Sequence, residues 1–184
     1  EIELPWEFSF YGQPKTSVKV NAAGFLTFGP TLGSPTSNTP LPDIGFPNEL
    51  LAVWWDTLRP ASAPQDGGVF HYYDAENDRV IVEYKDVPRS WNSGQLTFEV
   101  MLYPDGRIVY QYLDMSFGND ADEASATIGI ENADGTDGLE VLCDAYGYIE
   151  NNLAIEFRTY QWLSVSPGSA TIEPGQSQVF DVVM

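Results

Sequence analysis

The chain has few basic residues, one histidine and one cysteine. Its 184 residues include 8 lysines and arginines against 27 acidic residues, so the formal net charge is −19. A surface of that sign repels phosphate backbones and anionic lipid headgroups. The sequence therefore argues against nucleic acid and membranes as partners. No apolar run approaches the roughly 20 residues that a membrane-spanning helix needs, so we expect no membrane insertion.

The single histidine and the single cysteine also restrict the chemistry. They cannot form a closed zinc site without carboxylates, and Cys143 has no partner for a disulfide within the chain. His71 lies in an aromatic run without a nucleophile elbow or a zinc-protease motif, so we assign it to packing or to the surface. Cys143 follows apolar residues and precedes an acid, which is typical of a small buried side chain and not of a reactive thiol.

Apolar residues, by contrast, are plentiful enough for a core. The chain is 43% hydrophobic, 14% aromatic and only 19% charged, which excludes a chain kept disordered by charge. Its length suits one domain and a fragment of a second. Because it begins without methionine or a signal-like segment and stops within an apolar pattern, we expect a piece of a longer polypeptide.

Short runs of alternating apolar and polar residues recur along the chain. Successive side chains of a strand face opposite sides of a sheet, so this period of two predicts half-buried strands. Between two such runs, Pro104-Asp105-Gly106 predicts a tight hairpin with positive φ at the Asp-Gly pair. The pattern predicts an all-β fold, an antiparallel β-sandwich of the jelly-roll or Greek-key type with little helix. The clearest runs are residues 6–10, 17–20, 80–84, 96–102, 108–112 and 153–157.

Two regions leave alternatives open. Residues 29–47 are rich in proline and serine and too long for a hairpin connector, so we expect a crossover between two sheets, with a functional loop as the alternative. Trp54 and Trp55 are adjacent in an apolar strand, so at least one of them faces the core.

Two loops are rich in oxygen donors. One contains Asp120 and Asp122, and the other contains Asp134 and Asp137. Ca²⁺ takes about six to eight such oxygens from a flexible loop, although neither loop follows the full EF-hand pattern. Calcium is the one cofactor that these loops allow, and ordinary solvated acidic loops are the alternative.

A turn-rich loop carries the candidate ligand residues. Trp91 lies there between Arg89 and Asn92, where a large ring has no evident burial partner. Sugar-binding sandwiches present flat rings to pyranoses and amides or carboxylates to their hydroxyls. Trp91, Asn92 and Arg89 are therefore the predicted ligand site, and packing of Trp91 against the domain edge is the alternative.

Three glutamates in the predicted strands allow a different functional interpretation. Paired carboxylates on neighbouring strands could form a glycoside hydrolase site. However, Glu83, Glu99 and Glu156 alternate with apolar residues, which is typical of a solvated outer face. We therefore predict no catalytic residues.

Five segments share a characteristic sequence of strands and turns: residues 4–12, 20–29, 52–58, 98–112 and 127–138. Together they resemble the ancillary β-sandwich domain of secreted bacterial multidomain proteins, which often accompanies subtilisin-like or other peptidases and is distantly similar to nidogen-type domains. The resemblance covers residues 1–158 and includes no catalytic residues. It implies an extracellular or surface-attached module whose partners are other domains of the same chain.

The pattern changes after residue 158. Residues 162–167, read Trp-Leu-Ser-Val-Ser-Pro, together with residues 172–177 resemble the opening of the immunoglobulin-like modules of secreted bacterial proteins. Only about two strands of such a module are present, so residues 159–184 cannot close a sandwich of their own. We expect this incomplete module to dock on the first domain as a strand pair, because it is too apolar for a solvated tail.

The sequence thus predicts a non-catalytic module of a larger secreted or cell-surface bacterial protein. It would serve ligand or partner binding, adhesion, or spacing of a catalytic domain, with extracellular polysaccharide or protein as the ligand. A carbohydrate-binding module that uses exposed aromatics such as Trp91 is the first alternative. A glycoside hydrolase is the second, and a cleft with two facing carboxylates would favour it.

Overall fold

The computed structural model describes residues 1–30, 35–89, 94–117, 124–159, 164–166 and 181–183, together with residues 171, 177 and 179. Two antiparallel sheets pack face to face, which confirms the predicted β-sandwich. The helical content of this described part is one 3₁₀ turn, Pro60–Ser62. The strands of the sandwich are β1 Ile2–Phe10, β2 Gln13–Asn21, β3 Phe25–Thr27, β4 Leu50–Trp55, β5 Gly68–Asp74, β6 Arg79–Pro88, β7 Gln95–Leu102, β8 Ile108–Ser116, β9 Thr127–Glu131, β10 Gly138–Cys143 and β11 Leu153–Phe157.

The two sheets contain strands from distant parts of the chain. The six-stranded sheet has the order β1-β2-β3-β4-β9-β10, and the five-stranded sheet has the order β11-β8-β7-β6-β5. Every predicted run lies within one of these strands. The alternation that predicted the strands therefore also assigns their inner and outer faces.

The main core lies between the sheets and is tied together by three buried tyrosines of the five-stranded sheet. The hydroxyl of Tyr84 donates to the carbonyl of Asn21 (2.6 Å), and the Tyr112 hydroxyl donates to the carbonyl of Val53 (2.7 Å). The Tyr110 hydroxyl donates to a β9 carbonyl at 3.0 Å. Because each hydroxyl finds a partner on the opposite sheet, these rings fill the core without an unpaired polar group.

The hairpin between β7 and β8 is present, but its turn differs from the predicted form. Gly106 alone in this turn has a positive φ, +84°. Asp105 instead accepts a hydrogen bond from the Arg107 N–H (3.1 Å), and the Gly106 N–H donates to the Tyr103 carbonyl (3.0 Å). The prediction of positive φ at both Asp105 and Gly106 is therefore wrong, because a turn closed by a single left-handed glycine meets the same strand twist.

The predicted crossover between sheets is also wrong. β3 and β4 are antiparallel neighbours in one sheet, with Leu26 opposite Leu51. The connection leaves and re-enters the same sheet, and its residues 35–49, which we call the strap, lie over the outer face of that sheet. Trp54 faces the main core, whereas Trp55 faces the strap, and both are buried. The strap closes a second, smaller core formed by Ala23, Phe25, Leu41, Leu50, Ala52 and Trp55.

The strap lies directly on backbone where the sheet carries glycine. Gly135 has φ +66°, and a Cβ atom there would lie 2.1 Å from the carbonyl oxygen of Asp43. A Cβ on Gly129 would lie 3.1 Å from a methyl group of Leu41. Close contact of the strap therefore requires that Gly135 has no side chain, whereas at Gly129 the nearer obstacle is the Leu139 carbonyl oxygen of β10, 2.4 Å from the position of a Cβ.

The C-terminal region contributes one further strand pair. β12, Ser164–Ser166, pairs antiparallel with β13, Asp181–Val183, in a two-stranded sheet of its own. Both strands lie within residues 159–184, whose assignment to an incomplete immunoglobulin-like module stays a prediction. Its docking on the first domain stays a prediction, since Trp162 and many of its neighbours lie outside the described residues.

Candidate functional site

Of the three predicted ligand residues, one lies within the described residues and two lie outside them. Trp91 and Asn92 lie outside the described residues. Arg89 follows β6, and its Nε atom donates to Oδ2 of Asp56 at 2.5 Å. Asp56 is almost fully buried and also accepts the N–H of Thr57 (2.6 Å). Arg89 therefore neutralises a buried carboxylate and joins the ends of two strands of opposite sheets, and its predicted ligand role stays a prediction.

The predicted calcium residues are likewise divided. Asp120 and Asp122 lie outside the described residues, whereas Asp134 and Asp137 lie in the turn between β9 and β10. Hydrogen bonds from Thr136, whose hydroxyl donates to Asp134 Oδ1 at 2.6 Å, lower the pKa of Asp134. Across the described ranges, no three His, Cys, Asp or Glu side chains are arranged to hold a metal. Calcium binding stays a prediction.

His71 and Cys143 have no shared site. His71 lies exposed on β5, an edge strand of the five-stranded sheet. Cys143 is half-buried, and its Sγ accepts a hydrogen bond from the Thr127 hydroxyl (3.3 Å). Burial is the main cause that raises the pKa of the Cys143 thiol, so the unreactive protonated form is favoured.

The outer face of the five-stranded sheet collects most of the groups that could bind a ligand. In the register of the sheet, Phe70 lies opposite Glu83, Glu83 opposite Glu99, and Glu99 opposite Gln111. Directly opposed side chains in antiparallel strands have Cβ atoms about 4.5–5.5 Å apart. One row across the sheet therefore carries an aromatic ring, two carboxylates and an amide. The outward orientation of Glu83 and Glu99 was predicted from sequence, but their direct opposition was not.

A shallow trough follows this row. A groove of about 290 Å³ is lined by Glu83, Thr97, Glu99, Gln111 and residues 152–154, among others. A neighbouring groove of about 220 Å³ is lined by Phe70, Tyr72 and both glutamates. Because the two grooves share Glu83 and Glu99, they form one trough with the carboxylate pair in its middle.

Two exposed aromatic rings stand at one end of the trough. Phe70 is 48% exposed and Tyr72 is 64% exposed, two residues apart on β5 and therefore on one face of the sheet. Trp91, and not this pair, was predicted from sequence. The sequence did contain a signal for these exposed rings. Residues 70, 72 and 73 are all aromatic, so both faces of the strand carry rings. Because only one face can point into the core, at least one ring must lie on the outer face.

The chain matches one known family. The sequence model of the NIDO-related family matches residues 1–164. The chain belongs to the NIDO-related family. This match supports the nidogen-like part of the resemblance stated above. Comparison with curated proteins and with solved structures found no match.

Membership of the NIDO-related family bears on chemistry and location. The family is not a known enzyme family, and NIDO-like domains are in general extracellular. Among the described residues, no helix is long and apolar enough to cross a membrane.

The surroundings of Glu99 in the trough perturb the pKa of its carboxyl group. Burial, and next the charge of Glu83, raise the pKa of Glu99, while the Arg79 guanidinium opposes the shift. Arg79 also lies against the sulfur of Met101 (3.0 Å) and pairs with Asp74 (2.9 Å). Burial and the neighbouring carboxylate both disfavour the charged form of Glu99.

The NIDO-related domain also contains a fully buried carboxyl group beneath the strap. Glu131, at the end of β9, accepts the Asp43 N–H on Oε2 (2.5 Å), and its Oε1 has no hydrogen-bond partner among the described residues. Burial raises the pKa of Glu131 to about 7, the hydrogen bond from Asp43 opposes the rise, and the charge of Asp43 adds to it. The exposed Glu140 accepts the Leu41 N–H (2.8 Å). Two glutamates thus hold the backbone of the strap.

Proposed function

We propose that this NIDO-related domain is a non-catalytic extracellular module of a larger secreted or cell-surface bacterial protein, and that it binds carbohydrate on the outer face of the five-stranded sheet. One observation carries the proposal. That face is open and combines the exposed rings of Phe70 and Tyr72 with the row formed by Glu83, Glu99 and Gln111.

The chemistry of that face suits a saccharide. Aromatic rings stack on the apolar faces of pyranoses, and carboxylate and amide side chains form hydrogen bonds with the hydroxyls. Glu83 and Glu99 supply acceptors, and Gln111 supplies both a donor and an acceptor. Because the trough is shallow and open along the sheet, it suits a stretch of polysaccharide chain lying across the strands better than a small molecule enclosed in a pocket.

The proposal that this domain is part of a larger protein rests on its membership of the NIDO-related family and on the resemblance of its sequence to the ancillary domains of secreted bacterial proteins. In that setting the module would hold its parent protein, or a catalytic domain next to it, at a polysaccharide. Adhesion and the spacing of a catalytic domain follow from the same placement. The other domains of the same chain are then its permanent partners.

Affinity electrophoresis against a panel of soluble polysaccharides, followed by a glycan array, tests the proposal. Tyr72→Ala removes an exposed ring of the trough, and Tyr148→Ala removes a ring that is equally exposed, at 64%, but lies in the connection between β10 and β11. Loss of one stacking ring should weaken binding at least tenfold, about 1.4 kcal/mol, for Tyr72→Ala and should leave the Tyr148→Ala control unchanged. Retention by no polysaccharide, or equal binding by both variants, would overturn the proposal.

A glycoside hydrolase is the second candidate, because Glu83 and Glu99 lie directly opposite each other in a trough and the pKa of one of them is raised. Such a pair matches the roles of acid and base or nucleophile in glycosidases. Release of reducing ends from a bound polysaccharide decides between the two functions. Hydrolysis that disappears in Glu99→Gln would favour the enzyme, and stable binding without product would favour the module.

A further inference from the structure

We propose that β5 is the contact through which two copies of this chain associate, by antiparallel pairing of β5 with β5 of a second copy around a two-fold axis at His71. The proposal goes beyond carbohydrate binding and does not rest on it. It rests on a comparison of the sheet edges, on the register that β5 can form with itself, and on the exposure of its side chains.

An edge strand presents unpaired N–H and C=O groups to any other strand, and proteins usually obstruct such edges with proline, bulges or charge. In the described part of the chain, three of the four edges of the sandwich carry such obstructions or are short. β1 contains Pro5 and a register shift, and β10 contains a register shift between Glu140 and Leu142. β11 has only five residues, and its Glu156 pairs with Arg107 and Arg158.

β5 has neither a proline nor a register shift, and its one acidic residue, Asp74, lies at its last position and pairs with Arg79. Its seven residues, Gly68–Asp74, pair with β6 in continuous register from end to end. The strand contains no proline, lysine or arginine. Its central residues Phe70, His71, Tyr72 and Tyr73 are all exposed. Within the described residues, β5 is therefore the least obstructed of the four sheet edges, the form that most readily accepts a further strand.

The sequence of β5 is also complementary to itself. In an antiparallel pair centred on His71, Phe70 lies opposite Tyr72 of the other copy, Val69 opposite Tyr73, and Gly68 opposite Asp74. Aromatic pairs across strands are favourable, His71 lies opposite His71 of the other copy on the axis, and no two acids within residues 68–74 are opposed. The same pairing would join the two five-stranded sheets and bring the troughs of both copies onto one continuous face.

The size and the charge of the contact set its strength. A strand pair alone buries less than the roughly 1,600 Å² of a standard interface, so the association is expected to be weak and dependent on concentration. Each copy carries a net charge of −19. Salt screens this repulsion over about 10 Å at 0.1 M, so the dimer should strengthen with ionic strength.

Analytical ultracentrifugation over a wide range of protein concentrations, at low and high salt, tests the proposal. His71→Lys places two like charges on the two-fold axis and should weaken association at least tenfold. Leu139→Lys is the matched control, because Leu139 is 60% exposed on the bulged edge strand β10. It should leave association unchanged. A wild-type chain that stays monomeric at every concentration and salt level, or equal effects of the two variants, would overturn the proposal.

Covalent trapping gives an independent readout. In a Cys143→Ser background, His71→Cys should form a disulfide between copies on mild oxidation, since opposed Cβ atoms on the axis lie near the distance that a disulfide spans. Leu139→Cys in the same background should not form one. Circular dichroism of each variant establishes that the fold is kept. Equal cross-linking at both positions would contradict a specific contact at β5.

Discussion

The two outer faces of this sandwich are built on the same alternating pattern and differ in what lies over them. On the six-stranded sheet, the outward positions of β3 and β4 are apolar except for Thr27, whose hydroxyl donates to the Asn48 carbonyl of the strap, and the strap covers them with Leu41 and its neighbours. On the five-stranded sheet, the outward row mixes rings with carboxylates and an amide, and it remains open. An apolar outer face must be covered to avoid water, whereas a mixed face is stable in water and free to bind.

Covering one face carries structural requirements that the open face does not have. The strap needs Gly135 beneath the Asp43 carbonyl, and it buries the carboxyl group of Glu131 with one oxygen unpartnered. The open face has exposed side chains that can change without a loss of packing. The comparison therefore predicts large stability effects under the strap and small ones on the trough.

The largest loss of stability is expected where the strap contacts Gly135. In Gly135→Ala, the new Cβ would meet backbone atoms of Asp43 and Ile44 at 2.1–2.8 Å, and neither can rotate away. We expect a loss of about 3 kcal/mol or more in the free energy of unfolding, measured by urea denaturation. Gly147→Ala is the control, since Gly147 also has a positive φ, +79°, with nothing within 4 Å. It should lose only about 1 kcal/mol, and equal losses would contradict close seating of the strap.

Leucines on the two faces provide the next comparison. Leu41 in the strap is 7% exposed, whereas Leu113 on β8 is 62% exposed. Leu41→Ala should destabilise the domain by about 2–3 kcal/mol through a cavity in the second core. Leu113→Ala should stay within about 0.5 kcal/mol of the wild type. Chemical denaturation of both variants checks the pair, and similar losses would show that the strap does not seal its face.

The buried carboxyl group predicts a pH dependence of stability. Because the pKa of Glu131 is raised to about 7 in the folded domain, the native state holds a proton that the unfolded chain releases at lower pH. This stabilisation is fully present below the ordinary glutamate pKa and is lost as the pH rises through about 7. Between about pH 5 and about pH 9, the wild type should lose about 1–2 kcal/mol more than Glu131→Gln does.

Glu140→Gln is the matched control for that titration. It removes the same charge from the other glutamate that holds the strap, but Glu140 is exposed. Its stability should follow the wild-type pH dependence. If Glu131→Gln follows the wild-type curve as well, then Glu131 is not the buried acid that the structure describes.

The smallest effect is expected in the trough. Glu99→Gln removes one charge from a directly opposed carboxylate pair. Like charges directly opposite each other on neighbouring strands are mildly unfavourable. The variant should therefore be more stable than the wild type at neutral pH by a few tenths of a kcal/mol. Thermal melting at neutral pH measures it. A large loss would show that Glu99 supports the fold and is not a surface residue of a binding face.

The elements of this fold were predictable from sequence because alternation is local. A strand such as β7 shows its period of two within its own eight residues, and a hairpin such as 103–107 shows its turn chemistry in place. The path of the strap was not predictable, because it depends on which strands are neighbours. Alternation does not state that β3 and β4 share one sheet.

The candidate site was predictable only in part, for the same reason. The outward orientation of Glu83 and Glu99 follows from the alternation of apolar and polar residues in their strands. That they lie opposite each other depends on the register between β6 and β7, which shifts between Tyr84 and Val87. The exposure of Phe70 and Tyr72 follows from the edge position of β5. The burial of Glu131 follows from the strap, whose course lies far away in sequence.

The central claim is that the covered face serves the fold and the open face serves binding. The most direct test is a titration of the ¹⁵N-labelled domain with soluble oligosaccharides, followed by amide NMR shifts. The account predicts that the shifts concentrate on the outer row of β5 to β8, around residues 70–72, 83, 99 and 111, while residues 35–49 stay unchanged. Shifts concentrated in the strap, or none on the five-stranded sheet with any saccharide, would contradict it.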